Sequence, residues 1–256
     1  MIPKPLYHKA ETIKELSANF ADIEQRIQLA CQRANRNVDS VRLLPVTKTV
    51  DEQVMRMAFE LGFNYFGENK VQEALEKSDS MVDLPIEWSV IGHLQTNKVK
   101  YIARFATEFQ ALGSLKVAEK LQERLEIENR SMTVLIQVNT SNEDSKYGLH
   151  PTEVAQFIEQ IKSFDRLQVK GLMTLALLSN NTEKVRECFI LLRQLRDGLK
   201  ENLPAHMCMD ELSMGMSGDF EIAIEEGATI VRIGQALFGA RTLPDSHYWP
   251  EVSDTL

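Results

Sequence analysis

Ile13, Leu16, Phe20, Ile23, Ile27, Ala30 and Ala34 recur at alternating spacings of three and four. That interval places them on one stripe of a helix over about residues 10–36. The stripe stops at Asn35–Arg36–Asn37, so a docked helix fits better than a coiled-coil seam. From residue 42 the pattern changes to short apolar runs separated by amphipathic ones. The short runs predict strands at 42–47, 63–67, 86–92, 108–112, 132–139, 167–173, 211–214 and 229–233. The amphipathic runs predict helices near 51–61, 69–80, 96–105, 114–129, 151–163, 182–201 and 219–226. Val117, Ala118, Leu121 and Leu125 carry the helical spacing in one of these, and Val185, Phe189, Leu192 and Leu195 in another.

Eight strands alternating with helices require a parallel sheet. In a chain of 256 residues, eight of them argue for a closed barrel rather than an open sheet. The reading is α/β: a single (β/α)₈ TIM barrel with an additional N-terminal helix. No Pro/Gly/Ser-rich linker divides the chain, so residues 1–256 read as one domain, with the barrel over about 42–241 and an irregular tail over 242–256. Pro45 fits poorly inside the first strand, because it removes a ladder donor. A closed barrel has no free edge to hide that loss, so a bulge or an unpaired carbonyl is expected there.

Composition narrows the function. Apolar residues make up 43% of the chain and charged residues 26%, which suits a large soluble core. The net charge of −8 disfavours a nucleic-acid surface. Cys31, Cys188 and Cys208 are too widely spaced for a CxxC pair or a disulfide framework, which suggests a reducing compartment. No signal-like core or long apolar run occurs, so a cytoplasmic protein without a membrane anchor is expected.

In such a barrel the working face lies at the strand C-termini. The first strand ends on Lys48. With a period of two, Leu44, Val46 and Lys48 share a face, so the lysine stands over apolar neighbours in the barrel mouth. Surroundings that disfavour its ammonium form make the amine a nucleophile able to form a Schiff base. The alternative is a solvated strand end. The other mouth segments are Gly67–Glu68–Asn69, Gly92–His93–Leu94–Gln95, Asn139–Thr140–Ser141 and Lys146–Tyr147–Gly148. Strand seven leads into Ser213–Met214–Gly215–Met216–Ser217–Gly218–Asp219, and strand eight into Arg232–Ile233–Gly234–Gln235. Small residues opening a helix leave N–H groups free for a phosphate, and the loops after strands seven and eight are the recurrent barrel site for one. A plain helix N-cap at Ser217 and a salt bridge at Arg232 are the competing explanations.

Other templates fail: no P-loop, GxGxxG or HExxH is present. His8, His93, His150, His206 and His247 are scattered and predict no metal site. Met207, Met209, Met214 and Met216 around strand seven read as core. A strand-one lysine, a phosphate cradle and an arginine on strand eight together suit pyridoxal 5′-phosphate (PLP). Lys48 would hold its aldehyde. Ser217, with N–H groups near Met216, Gly234 and Gln235, would hold its phosphate. Arg232 would face its ring nitrogen and keep it unprotonated, since adjacent positive charges repel.

The chain resembles the pyridoxal-phosphate homeostasis protein family, whose barrel is like the N-terminal domain of alanine racemase. The resemblance rests on Val46–Thr47–Lys48–Thr49, Phe66–Gly67–Glu68–Asn69 with Val71–Gln72–Glu73, and Ile91–Gly92–His93–Leu94–Gln95–Thr96–Asn97–Lys98. It continues through Gln137–Val138–Asn139–Thr140, Lys146–Tyr147–Gly148, Gly171–Leu172–Met173–Thr174, Leu212–Ser213–Met214–Gly215–Met216–Ser217, and Val231–Arg232–Ile233–Gly234 to Phe238–Gly239–Ala240–Arg241. It implies a fold-type III PLP-binding barrel with an internal aldimine on Lys48, Asn69 near the ring, and contacts from Ser213, Ser217, Arg232, Gly234 and Gln235. It also implies intracellular homeostasis or carriage of PLP, with PLP-dependent apoenzymes as recipients and a monomer or weak dimer. No established turnover is implied. Gln235 departs from the pattern, since Thr or Ser is common there.

A PLP-dependent amino-acid racemase would use the same imine. It commonly needs a second acid/base group, which alanine racemase takes from a further β-rich domain. The chain ends about fifteen residues after Arg241, so no such domain is expected. A Schiff-base aldolase on a phosphorylated sugar would share Lys48 and the phosphate site but give Arg232 no role.

Overall fold

The computed structural model describes residues 7–143, 147–201 and 203–240. Its strands are β1 (Arg42–Pro45), β2 (Tyr65–Glu68), β3 (Glu87–Val90), β4 (Glu108–Leu112), β5 (Met132–Gln137), β6 (Leu167–Met173), β7 (Glu211–Ser213) and β8 (Ile230–Ile233). They pair in parallel in the order β1-β8-β7-β6-β5-β4-β3-β2. The parallel bridge between Val46 and Gly67 then brings β1 against β2 and closes the ring. All five residues of β4 and all four of β8 are buried. Strands covered on both faces need apolar side chains on both, which is why they read as continuous runs.

The helices are α1 (Ile13–Arg33), α2 (Glu52–Glu60), α3 (Val71–Ser80), α4 (Val99–Phe105), α5 (Leu115–Ile127), α6 (Val154–Ile161), α7 (Thr182–Gly198), α8 (Phe220–Glu225) and α9 (Gln235–Phe238). Each strand end falls short of, or within a residue of, its expected limit. The residues trimmed from the C-terminal ends of β1, β3 and β5 leave the ladder to build the barrel mouth. Val138, for instance, keeps a bridge to Leu149 and one hydrogen bond to the Met173 carbonyl at 2.8 Å. The helices expected at 96–105 and 151–163 each open with a 3₁₀ turn, Thr96–Lys98 and Pro151–Glu153.

Helix α1 starts at a capping box. Thr12 Oγ1 accepts from the Glu15 N–H at 3.2 Å, and the Glu15 carboxylate accepts from the Thr12 N–H at 3.0 Å. Its stripe buries Leu16, Phe20, Ile23, Ile27 and Ala30, whereas Ile13, at the frayed start, is exposed. Phe20 stacks on Phe63 with ring centroids 3.8 Å apart and meets Phe238 edge-on at 6.2 Å. The helix packs against α8, α9 and α2. It therefore fills the place on the outer ring between β8 and β1, where α9 supplies a single turn.

Pro45 does not produce the expected bulge. Pro45 pairs with Ile233 in unbroken register, and the Arg42 and Val46 N–H groups donate to Thr229 and Ile233. The N–H of the odd residues points the other way, as Thr47 to the Gly67 carbonyl at 2.9 Å shows. The donor that Pro45 lacks thus falls on the β1–β2 seam, where pairing begins only at Val46. Met207, Met209 and Met214 are buried in the core as expected. The three cysteines are free thiols. Among the described residues no helix is long and apolar enough to cross a membrane. Lys146, Arg241 and the tail lie outside the described residues.

Candidate functional site

Beyond β1, Thr47 is fully buried, its hydroxyl donating to Glu68 Oε1 at 2.7 Å, and Lys48 follows it in a tight turn closed by the Val50 N–H on the Thr47 carbonyl. Lys48, Thr49, Asn69, Lys70 and Glu73 line one depression at the ends of β1 and β2. The turn after Lys48 is strained: Thr49 has φ of +63°, a region β-branched residues rarely occupy. Two hydrogen bonds hold it there. The Thr49 N–H donates to Glu73 Oε1 at 2.6 Å, and the Val50 N–H to the Thr47 carbonyl at 2.9 Å.

Behind that turn sits an ionic cluster. Lys77 Nζ donates to the Thr47 carbonyl at 2.7 Å, to Glu68 Oε1 at 2.8 Å and to Glu73 Oε1 at 2.7 Å. Glu68 is fully buried. Burial raises its carboxyl above the ordinary value, and the Lys77 charge pulls it back. The cluster braces the backbone that carries Lys48.

Asn69 approaches β3 because residue 92 is glycine. A Cβ at Gly92 would stand 2.0 Å from the Asn69 carbonyl oxygen and 2.8 Å from its Oδ1. The loops after β3 and β5 meet across the mouth, where His93 stacks on Tyr147 with centroids 4.0 Å apart. Desolvation lowers the His93 pKa, which favours its neutral form.

The loops after β7 and β8 also come together. The Ser217 hydroxyl accepts from the Ala236 N–H at 3.3 Å. The ladder of α9 starts with the Leu237 and Phe238 N–H groups donating to the Gly234 carbonyl, so the N–H groups of 234–236 stand outside it. Met216 is different from expectation: its N–H donates to Asp219 Oδ1 at 2.6 Å, so it is committed within its own turn. Burial raises the Asp219 carboxyl, against the pull of that N–H and of Arg232. Gly215, with φ of +93°, lets this turn lie against α8, where a Cβ would meet Ala223 Cβ at 2.6 Å. Gly234 lies directly against the end of β1, with its missing Cβ 3.3 Å from the Val46 carbonyl oxygen. The strand carrying Lys48 and the glycine opening α9 are therefore neighbours.

Arg232 lies on the inward face of β8 and is 3% exposed. Nη1 donates to Ser213 Oγ at 2.6 Å and Nη2 to the Thr174 carbonyl at 2.8 Å. Burial pushes its pKa down to about 10, opposed by Asp219 and Glu108, so it remains a cation at neutral pH. The competing explanation of a direct salt bridge does not hold, since both terminal nitrogens meet neutral oxygens. Ser213, expected as a ligand contact, spends its hydroxyl on Arg232 and Gln110. The sequence reading missed Lys77, Glu108 and Gln110. Lys77 lies one helical turn from Glu73, and Glu108 and Gln110 alternate on an otherwise apolar strand, which were the available signals.

The sequence model of the family "Alanine racemase, N-terminal domain" matches residues 19–242. The pyridoxal phosphate homeostasis protein of Aquifex aeolicus is 43% identical over 217 residues, covering 85% of this chain and 94% of that protein. The chain belongs to the pyridoxal phosphate homeostasis protein family. Among solved structures, PipY of Synechococcus elongatus PCC7942 with PLP bound is 32% identical with a TM-score of 0.75, covering 85% of this chain and all (100%) of that one. A protein of Bifidobacterium adolescentis matches at 32% identity and a TM-score of 0.84, over 92% of this chain and 100% of its own. The eight-stranded barrel is thus the fold of this family, with α1 as part of it from residue 19 onward.

Proposed function

We propose that this homeostasis-family member binds PLP at the mouth of the barrel and holds it for distribution to PLP-dependent apoenzymes. When bound, the cofactor supplies an aldehyde that a lysine amine holds as a Schiff base. Lys48 is that lysine here. The donor set fits the rest of the molecule. Ser217 and the first-turn N–H groups at Gly234 and Gln235 suit a phosphate. Arg232 offers a cation to the ring nitrogen and so keeps it unprotonated, which makes the ring a weaker electron sink. Asn69 lies beside Lys48 at the edge of the ring's place.

The observation that carries this reading is the junction of β1 and β8. The strand that leads to Lys48 abuts the glycine that opens α9 at Val46, so the backbone of the lysine lies close to the first-turn N–H groups of the proposed phosphate cradle. The test is the visible spectrum of the purified protein with added PLP, followed by borohydride reduction and peptide mass mapping. A yellow protein with the reduced adduct on Lys48 is expected. A colourless protein with no adduct, or an adduct elsewhere, would overturn the assignment. Incubation with L-amino acids in deuterated water separates carriage from racemisation, since only the latter exchanges the Cα proton with loss of chirality.

A further inference from the structure

Beneath Arg232 the barrel is not filled by hydrocarbon alone. The Ser213 hydroxyl, which accepts from Arg232 Nη1, donates to Gln110 Oε1 at 2.6 Å. Gln110 Nε2 donates to Glu108 Oε2 at 2.5 Å. That carboxylate also accepts from Ser89 Oγ at 2.6 Å, and its Oε1 from Arg42 Nη2 at 2.8 Å. Glu108, Gln110, Ser89 and Ser213 are all at most 2% exposed. The chain joins β1, β3, β4, β7 and β8 across the interior. Nothing in barrel packing demands it, and buried polar groups are costly unless each is satisfied.

We propose that Glu108 and Gln110 are positioning residues for Arg232, fixing through Ser213 the guanidinium that faces the cofactor ring. This rests on the PLP site described above. The chain has one polarity. Glu108, paired with Arg42, only accepts hydrogen bonds. Gln110 must therefore turn its amide nitrogen to Glu108 and its carbonyl to Ser213. Ser213 then gives its single proton to Gln110, and one of its lone pairs receives Arg232 Nη1. With Nη2 on the Thr174 carbonyl, the guanidinium plane is set by one partner on β7 and one just past the end of β6. Arginine has five N–H donors in a rigid fork, so holding two of them directs the others. Without the carboxylate, the amide of Gln110 is free to reverse. Ser213 would then face two donors with its own proton unsatisfied, and Arg232 would lose its fixed acceptor.

Two variants test this, Gln110→Met and Glu108→Gln, with two readouts. The first uses the ligand-free protein. Resolved, slowly rotating guanidinium NMR signals of Arg232, assigned with Arg232→Lys, are expected in the parent and should average in both variants. The second uses protein loaded with PLP. The visible band should shift and retention should weaken about tenfold, as when a hydrogen bond to a charged group is lost, while borohydride still traps the adduct on Lys48. A purely structural role would lower thermal stability and leave band, retention and guanidinium signals unchanged, which overturns the proposal. Averaged Arg232 signals in the parent overturn it too. If the parent forms no adduct on Lys48, the PLP reading fails, and the guanidinium signals still decide whether Glu108 and Gln110 hold Arg232. Should one variant fail to fold, the other supplies both readouts.

Discussion

Lys77 and Gly92 show what single residues do for the site without touching a ligand. Lys77 compensates Glu68, whose side chain is fully buried and lies 2.8 Å away. Removing one partner of such a pair leaves an uncompensated buried charge, so Lys77→Met should cost about 3–5 kcal/mol in urea unfolding. The double variant Glu68→Gln/Lys77→Met should recover part of that loss, because no charge is then stranded. Equal losses for the single and double variants would contradict this account. Gly92 is required by close approach rather than by a special φ. A Cβ there would stand 2.0 Å from the Asn69 carbonyl oxygen, and backbone cannot swing aside as a side-chain tip can. Gly92→Ala should destabilise by about 1–3 kcal/mol and displace Asn69, read as weaker PLP retention with the Lys48 adduct still formed.

Helix α1 is an element whose docking has an electrostatic component with a definite pH sign. Glu225 of α8 accepts from Arg186 Nη2 of α7 at 2.8 Å and from Arg33 Nε of α1 at 2.7 Å. Arg26 of α1 donates to Glu221 at 2.6 Å. Hydrogen bonds from Arg186 and Arg33 hold the Glu225 carboxyl below its ordinary value. A depressed folded-state value means that the unfolded chain takes up the proton first as pH falls. The stabilisation is therefore present above the ordinary glutamate range and is lost as pH drops through the folded value. The urea midpoint should fall between about pH 5 and pH 3, and Glu225→Gln should lose less over that interval than the parent. An identical decline in both would remove Glu225 from the explanation. The apolar face of α1 still supplies most of the docking, since partly exposed pairs are each worth at most about 1 kcal/mol.

At the scale of the whole molecule, the seam between β1 and β2, beside Lys48, is one of the thinly paired parts of the ring. β1 pairs with β8 along four residues, but with β2 only through the Val46–Gly67 bridge. Local opening starts where few hydrogen bonds hold an element. Native-state hydrogen exchange should therefore find the Thr47 N–H, bound to Gly67, less protected than the Val46 N–H, bound to Ile233. On the proposed site, PLP would span the two strand ends through Lys48 and Asn69, so loading should narrow the difference. Equal protection of the two amides without cofactor would show that the seam is no weaker than the rest of the ring.

Much of this was legible in the chain. Short runs buried on both faces, alternating with amphipathic stretches, point to a parallel sheet covered on both sides, and eight of them in this length favour its closing into a barrel. The end of strand one marked Lys48, and the small residues after strands seven and eight marked the corner proposed here for a phosphate. Those are local consequences of period and backbone freedom. The tertiary structure decided what depends on distant partners. It put the Pro45 defect on the β1–β2 seam, committed the Met216 N–H to Asp219, and set the Ser213 hydroxyl between Arg232 and Gln110. It also joined Glu108 and Gln110 to Arg232 over more than a hundred residues of chain. The alternating Glu108 and Gln110 mark a polar face on strand four, but nothing in either strand's pattern names the partner across the ring. Only closing the ring brings its two ends together.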